Sequence, residues 1–564
     1  MDKIWLKCYP EGVHEDIGEL PFRNLAAMFR ESVRKWPEKT AFENYGTKLS
    51  FRRLDELSDD FCSYLQHDLK MEKGERLAIV MPNILQFPVA MLGAIKAGLV
   101  LVNINPQYTP RELNGVLLNS GARAVIVLEN FARNVEEVEP FTSVDYVIVT
   151  RLGDMFPPVK GFLFNLALKL SKKTVQWDFS SFCYFSDALR KGHERKAEIA
   201  DPEPDDTAFL QYTGGTTGFP KGAMLTNRNL LSNMEQCVEM YGPVITMGKE
   251  RVLTALPLYH VFALTINCLL MLRIGAESDL VTDPRNMSKL SKELRRFRPT
   301  VFMGVNTLFN GLNNCPDFQK NPVRGFHLVI GGGMAVQKPV AERWKELTGS
   351  FVLEGYGLTE CSPLVAVNPC NQTEYSGTIG VPVPSTIVKI VGDDGSEITE
   401  FEKPGELVVK GPQVMKGYWN RQDVNGQVLR DGWFHTGDIA VWLENGNIRL
   451  VDRKKDMILV SGFNVFPSEI EEVCAMNPKV LEVCAIGVKS GSSGERVKVF
   501  VVKKDPSLTE KELIEHCQKF LTRYKVPKIV EFVERMPKTN VGKILRRRLR
   551  EIEAEKQKKG GDRV

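Results

Sequence analysis

The run from Tyr212 to Gly222 reads Tyr-Thr-Gly-Gly-Thr-Thr-Gly-Phe-Pro-Lys-Gly. Gly214, Gly215 and Gly218 let the backbone bend until several N–H groups converge on one point. The hydroxyls of Thr213, Thr216 and Thr217 add donors, and Lys221 adds a mobile positive charge. Converging donors beside a cation suit a triphosphate. The spacing fits no Walker A register, so a different class of nucleotide site is expected. A surface turn rich in Gly and Thr is the competing reading. The length and order of the run weigh against it.

Other chemistries find less support. No Ser-His-Asp or Cys-His arrangement stands out, so nucleophilic catalysis is not indicated. The eleven cysteines run from Cys8 to Cys517 without a CxxC pair, which removes zinc-site spacing and argues for reduced thiols in a cytoplasmic protein. A net charge of +4 on 564 residues gives no case for nucleic acid. The N-terminus lacks the apolar core of a signal peptide, and no apolar run reaches the ~20 residues that span a bilayer.

The elements around the loop read as α/β. Short apolar runs rich in Val and Ile (77–81, 124–128, 146–149, 329–330) alternate with helical patterns (54–65, 111–119) through the first 400 residues. That alternation predicts largely parallel, doubly wound sheets. From about residue 377 the runs 386–391, 406–409 and 448–451 are parted by Gly- and Asp-rich turns, which predicts a β-rich subdomain over 377–451. The charge cluster 452–456 lies between two apolar runs and reads as a boundary. Beyond it, helical patterns at 467–475 and 508–521 and a strand at 497–502 predict a small α/β domain.

The loop resembles the phosphate loop of the adenylate-forming superfamily of acyl-CoA synthetases, luciferases and peptide-synthetase adenylation domains. The resemblance continues in family order. Tyr356-Gly357-Leu358-Thr359-Glu360 resembles its second motif, Thr436-Gly437-Asp438 its ribose motif, the segment from Asp452 to Asp456 its hinge, and the run from Pro537 to Ile544 its C-terminal lysine motif. The stretch from Asp431 to Lys455 is similar to the signature of fatty acyl-CoA synthetases, above all the bacterial long-chain fatty acid–CoA ligases.

That resemblance implies a fold, a reaction and roles. The fold is an adenylation domain over 1–451, a hinge over 452–456 with Lys455 as pivot, and a mobile lid over 457–564. The reaction takes fatty acid, ATP and CoA through an acyl-adenylate to acyl-CoA, AMP and diphosphate. Mg²⁺ would be held by Thr213 and Glu360. Thr359 would donate to the α-phosphate, Gly332, Gly333, Gly355 and Tyr356 would form the adenine pocket, and Asp438 would accept from the ribose with help from Arg453. Lys543 would enter the site from the lid. Ser461, Gly462 and Phe463 would serve the CoA step, although many relatives carry lysine where this chain has Ser461. Alternatives are a fatty acyl-AMP ligase that loads a carrier protein, a ligase for medium-chain or aryl acids and, from another class, a membrane-associated fatty acid transport protein with vestigial catalysis.

The acyl group is the least legible part. His260 reads either as a hydrogen-bonded core residue or as a wall of the acyl site beside Phe262. Phe262, Leu264, Ile266, Leu308, Phe309 and Leu312 are wall candidates that read equally as core. The stretch 161–173, apolar and ending in lysines, fits either a packed helix or an element lying on a membrane surface. The basic run 546–550 fits an anionic lipid surface or the solvated end of a helix. Peripheral membrane association and a homodimer are both compatible with these features.

Overall fold

The computed structural model describes residues 3–171, 175–213, 220–460, 463–490, 494–539 and 542–561. Among them the strands form four sheets.

The first sheet has seven strands and is parallel through its centre, from Tyr146–Thr150 across Ala124–Leu128, Arg76–Val80 and Val100–Asn103 to Thr207–Thr213. Its central strands are buried along nearly their whole length, which is why they read as continuous Val/Ile runs rather than as alternating ones. The last strand, Lys221–Thr226, turns back antiparallel to Thr207–Thr213, with Thr213 opposite Lys221. Loop residues 214–219 therefore join two hydrogen-bonded neighbours.

The second sheet has nine strands. Arg251–Thr254, Val301–Gly304, Leu328–Gly332 and Leu353–Gly357 run parallel, and in the last pair Gly332 lies opposite Gly355. The helix predicted around 54–65 forms as Phe51–His67, capped by the Ser50 hydroxyl, and Arg111–Asn119 lies within Pro110–Ser120, opened by a Thr109–Glu112 capping box. One apolar core, with Phe209, Phe302, Trp344 and Trp442 among its buried side chains, runs through these two sheets and into the next.

The β-rich part is as predicted in kind: Ile387–Val391, Gly405–Lys410, Trp433–Trp442 and Ile448–Arg453 pair antiparallel. The strand Ile448–Arg453 runs two residues into the charge cluster, so Asp438 and Arg453 face each other across a ladder. The C-terminal part is built on Gly494–Lys503, flanked by Val480–Ser490 and Ile529–Phe532, with its own core of Ile458, Ile470, Val499, Leu513 and neighbours. Asp452 joins the two parts: its Oδ2 accepts from the Ser468 N–H at 2.8 Å and the Ser468 hydroxyl at 2.9 Å.

Two surface segments left open by the sequence take definite form. The helix Pro158–Leu170 is packed and exposed at once. Gly161 lies against Gly153, Asn165 accepts the Gly153 N–H at 2.8 Å, and Phe164 meets Phe156 edge-on. The opposite stripe, Val159, Phe162, Leu163, Leu166 and Leu170, faces solvent. The basic run is committed elsewhere. Arg546 pairs with Asp456 and Glu471, Arg550 with Asp456, and Arg547 and Arg548 both with Glu551. Those contacts anchor a helix and spend much of the charge expected for lipid.

Candidate active site

One cavity of about 1370 Å³ opens at the carboxyl ends of the parallel strands, bounded on its far side by the C-terminal part. Crevices of this kind are where open α/β sheets place their ligands. Its walls include Thr213, Lys221, His260, Phe262, Gly332, Gly333, Gly355, Tyr356, Thr359, Glu360, Arg453, Lys455 and Lys543. Residues separated by hundreds of positions in the chain thus meet in one space. Gly214, Gly215, Thr216, Thr217 and Gly218, together with Ser461 and Gly462, lie outside the described residues.

One end of the cavity is built from two sheets. Tyr356, at the end of Leu353–Gly357, donates its phenol to Asp438 Oδ2 at 2.6 Å. Arg453 Nε lies 2.9 Å from the other oxygen, Oδ1. Asp438 itself is 4% exposed and stands behind the wall rather than on it. Its orientation is local: Gly437 takes φ +71°, and the Asp438 N–H donates to Thr436 Oγ1 at 3.1 Å while that hydroxyl donates to the Leu407 carbonyl at 2.7 Å. Burial and the Asp438 charge push the Tyr356 phenol far above the usual range, so it remains a donor at any working pH. Burial opposes the Arg453 charge, but Asp438, Tyr356 and Glu360 outweigh it and raise its pKa.

Another part of the wall carries opposite charges that both meet Tyr418. Glu360 follows the same strand in the short turn Thr359–Cys361. Its Oε1 accepts the Tyr418 phenol at 2.5 Å, and the Lys221 ammonium lies 4.9 Å from the Tyr418 ring centroid. Tyr418 was not foreseen from the sequence. Nothing local marks it, since it reaches the site through a β-bridge to Ala223. Thr213 and Glu360 offer a hydroxyl and a carboxylate to the same space. That donor set suits Mg²⁺, which binds through one or two protein oxygens and completes its shell with phosphate and water.

Lys543 enters from the C-terminal part on a tight turn. Its side chain lies in the cleft, open to solvent yet flanked by the cavity's walls in a partial enclosure. This enclosure, and then the charge of Arg453, bring its pKa down to about 8, with Asp438 opposing. His260 sits nearby. Burial and then the Lys543 charge lower it to about 4, so the imidazole is neutral. His260 and Phe262 both line the cavity, and Ile266 joins them from the π-helical turn Ala263–Leu269. Leu264, Leu308, Phe309 and Leu312 do not line this cavity and are buried in the core. Phe463 is also apart from it, 57% exposed and stacked on Tyr524 at 4.9 Å.

Comparison with known proteins gives the same picture. The sequence model described as AMP-binding enzyme matches residues 29–419, and that of the AMP-binding enzyme C-terminal domain matches 469–543. The chain is 53% identical over 552 residues to a long-chain-fatty-acid–CoA ligase of Escherichia coli O157:H7, covering 98% of each chain. It is 49% identical to a long-chain-fatty-acid–CoA ligase of Haemophilus influenzae, covering 99% of this chain and all of the other. Among solved structures, a benzoate CoA ligase from Burkholderia xenovorans LB400 superposes with a TM-score of 0.80 at 27% identity, over 94% of this chain and 100% of that one.

Proposed function

The chain belongs to the AMP-binding enzyme family, and from that premise we propose that it is an AMP-forming long-chain fatty acid–CoA ligase. The observation that carries the proposal is the convergence of Lys221, Glu360, the Tyr356–Asp438–Arg453 group and Lys543 on one cavity, in a chain 53% identical to a long-chain-fatty-acid–CoA ligase.

In the first half-reaction a carboxylate oxygen of the fatty acid bonds to the α-phosphorus of ATP. The bond from that phosphorus to its bridging oxygen breaks, and diphosphate leaves with the electron pair. Charge builds on the oxygens around phosphorus, so catalysis depends on placement and neutralisation. Lys221 and Lys543 supply positive charge from opposite walls, and Thr359 supplies a donor. Tyr356, Asp438 and Arg453 fix the nucleoside end. When bound by Thr213 and Glu360, Mg²⁺ would add further neutralisation of the phosphates. In the second half-reaction the CoA thiol gives up its proton to solvent, its sulfur bonds to the acyl carbonyl carbon, and the carbon–oxygen bond to the phosphate breaks so that AMP departs with the electron pair.

One geometry serves these two steps poorly, because Lys543 neutralising the phosphate and a thiol attacking the acyl carbonyl both need access to the same cavity. We assign the segment 452–456 as a hinge with Lys455 as pivot, and 457–564 as a lid that turns between the steps, which would bring Phe463 and its neighbours to the cleft. The separate core of the C-terminal part supports that division.

The acid is assigned as long-chain from the relatives, and the apolar wall of Phe262 and Ile266 fits an alkyl chain. The exposed stripe on Pro158–Leu170 supports work at a lipid surface, where such acids reside. Among the described residues no helix is long and apolar enough to cross a membrane. The deciding assay supplies ATP, Mg²⁺, CoA and acids of graded length, and scores AMP, diphosphate and acyl-CoA. ADP as product would eliminate the adenylate route. A preference for aryl or short acids would move the substrate class.

A further inference from the structure

Lys543 is held in the cavity by a turn whose internal bonds shape it without fixing where it sits. The Thr539 N–H donates to the Lys543 carbonyl at 2.7 Å, the Gly542 N–H to the Thr539 carbonyl at 2.9 Å, and the Lys543 N–H to Thr539 Oγ1 at 3.1 Å. All of these lie within the turn, and none reaches the large domain.

Contact with the large domain comes from the helix Asn306–Asn313, which follows the central strand Val301–Gly304. The hydroxyl of Thr307 donates to the Gly542 carbonyl at 3.1 Å, one residue before Lys543. One turn later the Asn310 side-chain amide donates to the Leu481 carbonyl at 3.3 Å. Positions i and i+3 share a helix face, so this face is the seat on which the C-terminal part rests.

The approach is close. Gly542 has φ +81°, and a Cβ there would stand 2.5 Å from Thr307 Oγ1 and 3.3 Å from Val305 Cγ2. Only glycine meets both conditions without displacing its neighbours. Val305 lines the cavity as well, so the seat and the reacting space share a wall.

We infer that Thr307 is the residue that positions Lys543 for adenylation, by holding the Gly542 carbonyl against the large domain. It acts through Lys543 and does not touch the reacting atoms. It belongs to the arrangement in which Lys543 faces ATP, and a lid turned for thioester formation has no use for it. The inference rests on the adenylation reading and refines it.

The test measures the half-reactions separately in the full-length protein: fatty-acid-dependent exchange between ATP and diphosphate, and acyl-CoA formation from supplied acyl-adenylate. Thr307→Val keeps shape and removes the donor. One hydrogen bond of ordinary net strength corresponds to a slowing of exchange by about three- to tenfold. Conversion of supplied adenylate keeps its rate, which also reports an intact fold. Thr307→Ser restores exchange, and in a Lys543→Ala background Thr307→Val costs nothing further. The inference is overturned if Thr307→Val slows both half-reactions alike, leaves exchange at the wild-type rate, or adds its full effect to Lys543→Ala. Wild-type protein without acid-dependent exchange would instead overturn the adenylation reading itself.

Discussion

The phenol of Tyr356 and the carboxylate of Asp438, 82 positions apart, meet at 2.6 Å and join the nine-stranded sheet to the β-rich one. Arg453 takes the second carboxylate oxygen at 2.9 Å. Tyr356, Asp438 and Arg453, proposed to hold the nucleoside, are thus a linked group in which each member orients the next.

Tyr356→Phe removes the donor and leaves Asp438 with Arg453 alone. The expected outcome is a lower melting temperature together with ATP binding weaker by roughly tenfold or more, since a hydrogen bond to a buried charged acceptor is worth about 1.5–3 kcal/mol. Calorimetric titration with a non-hydrolysable ATP analogue measures it. Wild-type affinity would separate this pair from the nucleotide site.

Glu360 shares its carboxylate with Tyr418, so its charge is partly satisfied before any metal arrives. Glu360→Gln preserves the shape and the acceptor oxygen but removes the charge. The Mg²⁺ concentration for half-maximal adenylation should rise by on the order of tenfold or more, the usual scale for damage to a metal site. A Mg²⁺ titration at saturating ATP decides, and an unshifted midpoint would take Glu360 out of the metal site.

In the proposed role, Lys543 neutralises the reacting phosphate only while it carries its proton. Its pKa lies below the ordinary lysine value, at about 8. The charged form is therefore full well below pH 8 and is lost as pH rises through that value. The kcat/KM for ATP in adenylation, which reports the free enzyme, should fall on the alkaline side with that midpoint. Lys543→Arg, ionised throughout, should flatten this limb while lowering the plateau. A limb that persists unchanged in the arginine variant belongs to another group.

The stripe Val159, Phe162, Leu163, Leu166 and Leu170 faces away from the protein at helical spacing. Double substitution Phe162→Glu, Leu166→Glu leaves the packed face of Gly161, Phe164 and Asn165 intact. Flotation with anionic phospholipid vesicles should show binding reduced at least tenfold, since burying each such side chain is worth about 1.5–3 kcal/mol. Adenylation of a short soluble acid should stay at the wild-type rate. Undiminished flotation would reassign the stripe.

The amino-acid sequence by itself determined the local pieces. The Gly- and Thr-rich run, the Val/Ile strands, the helical patterns and the order of the motifs are each written within a few neighbouring residues, where backbone preference and side-chain periodicity operate. Only the tertiary structure decided what those pieces meet. It brought Tyr418 onto Glu360, set Thr307 beneath Gly542, and placed Asp438 behind the wall. It put His260 in the cavity and Leu308, Phe309 and Leu312 in the core. It also committed Arg546 and Arg550 to Asp456 and left one face of Pro158–Leu170 uncovered. An apolar or charged side chain carries the same local signature wherever it ends, and its neighbour is chosen by how distant sheets and helices pack.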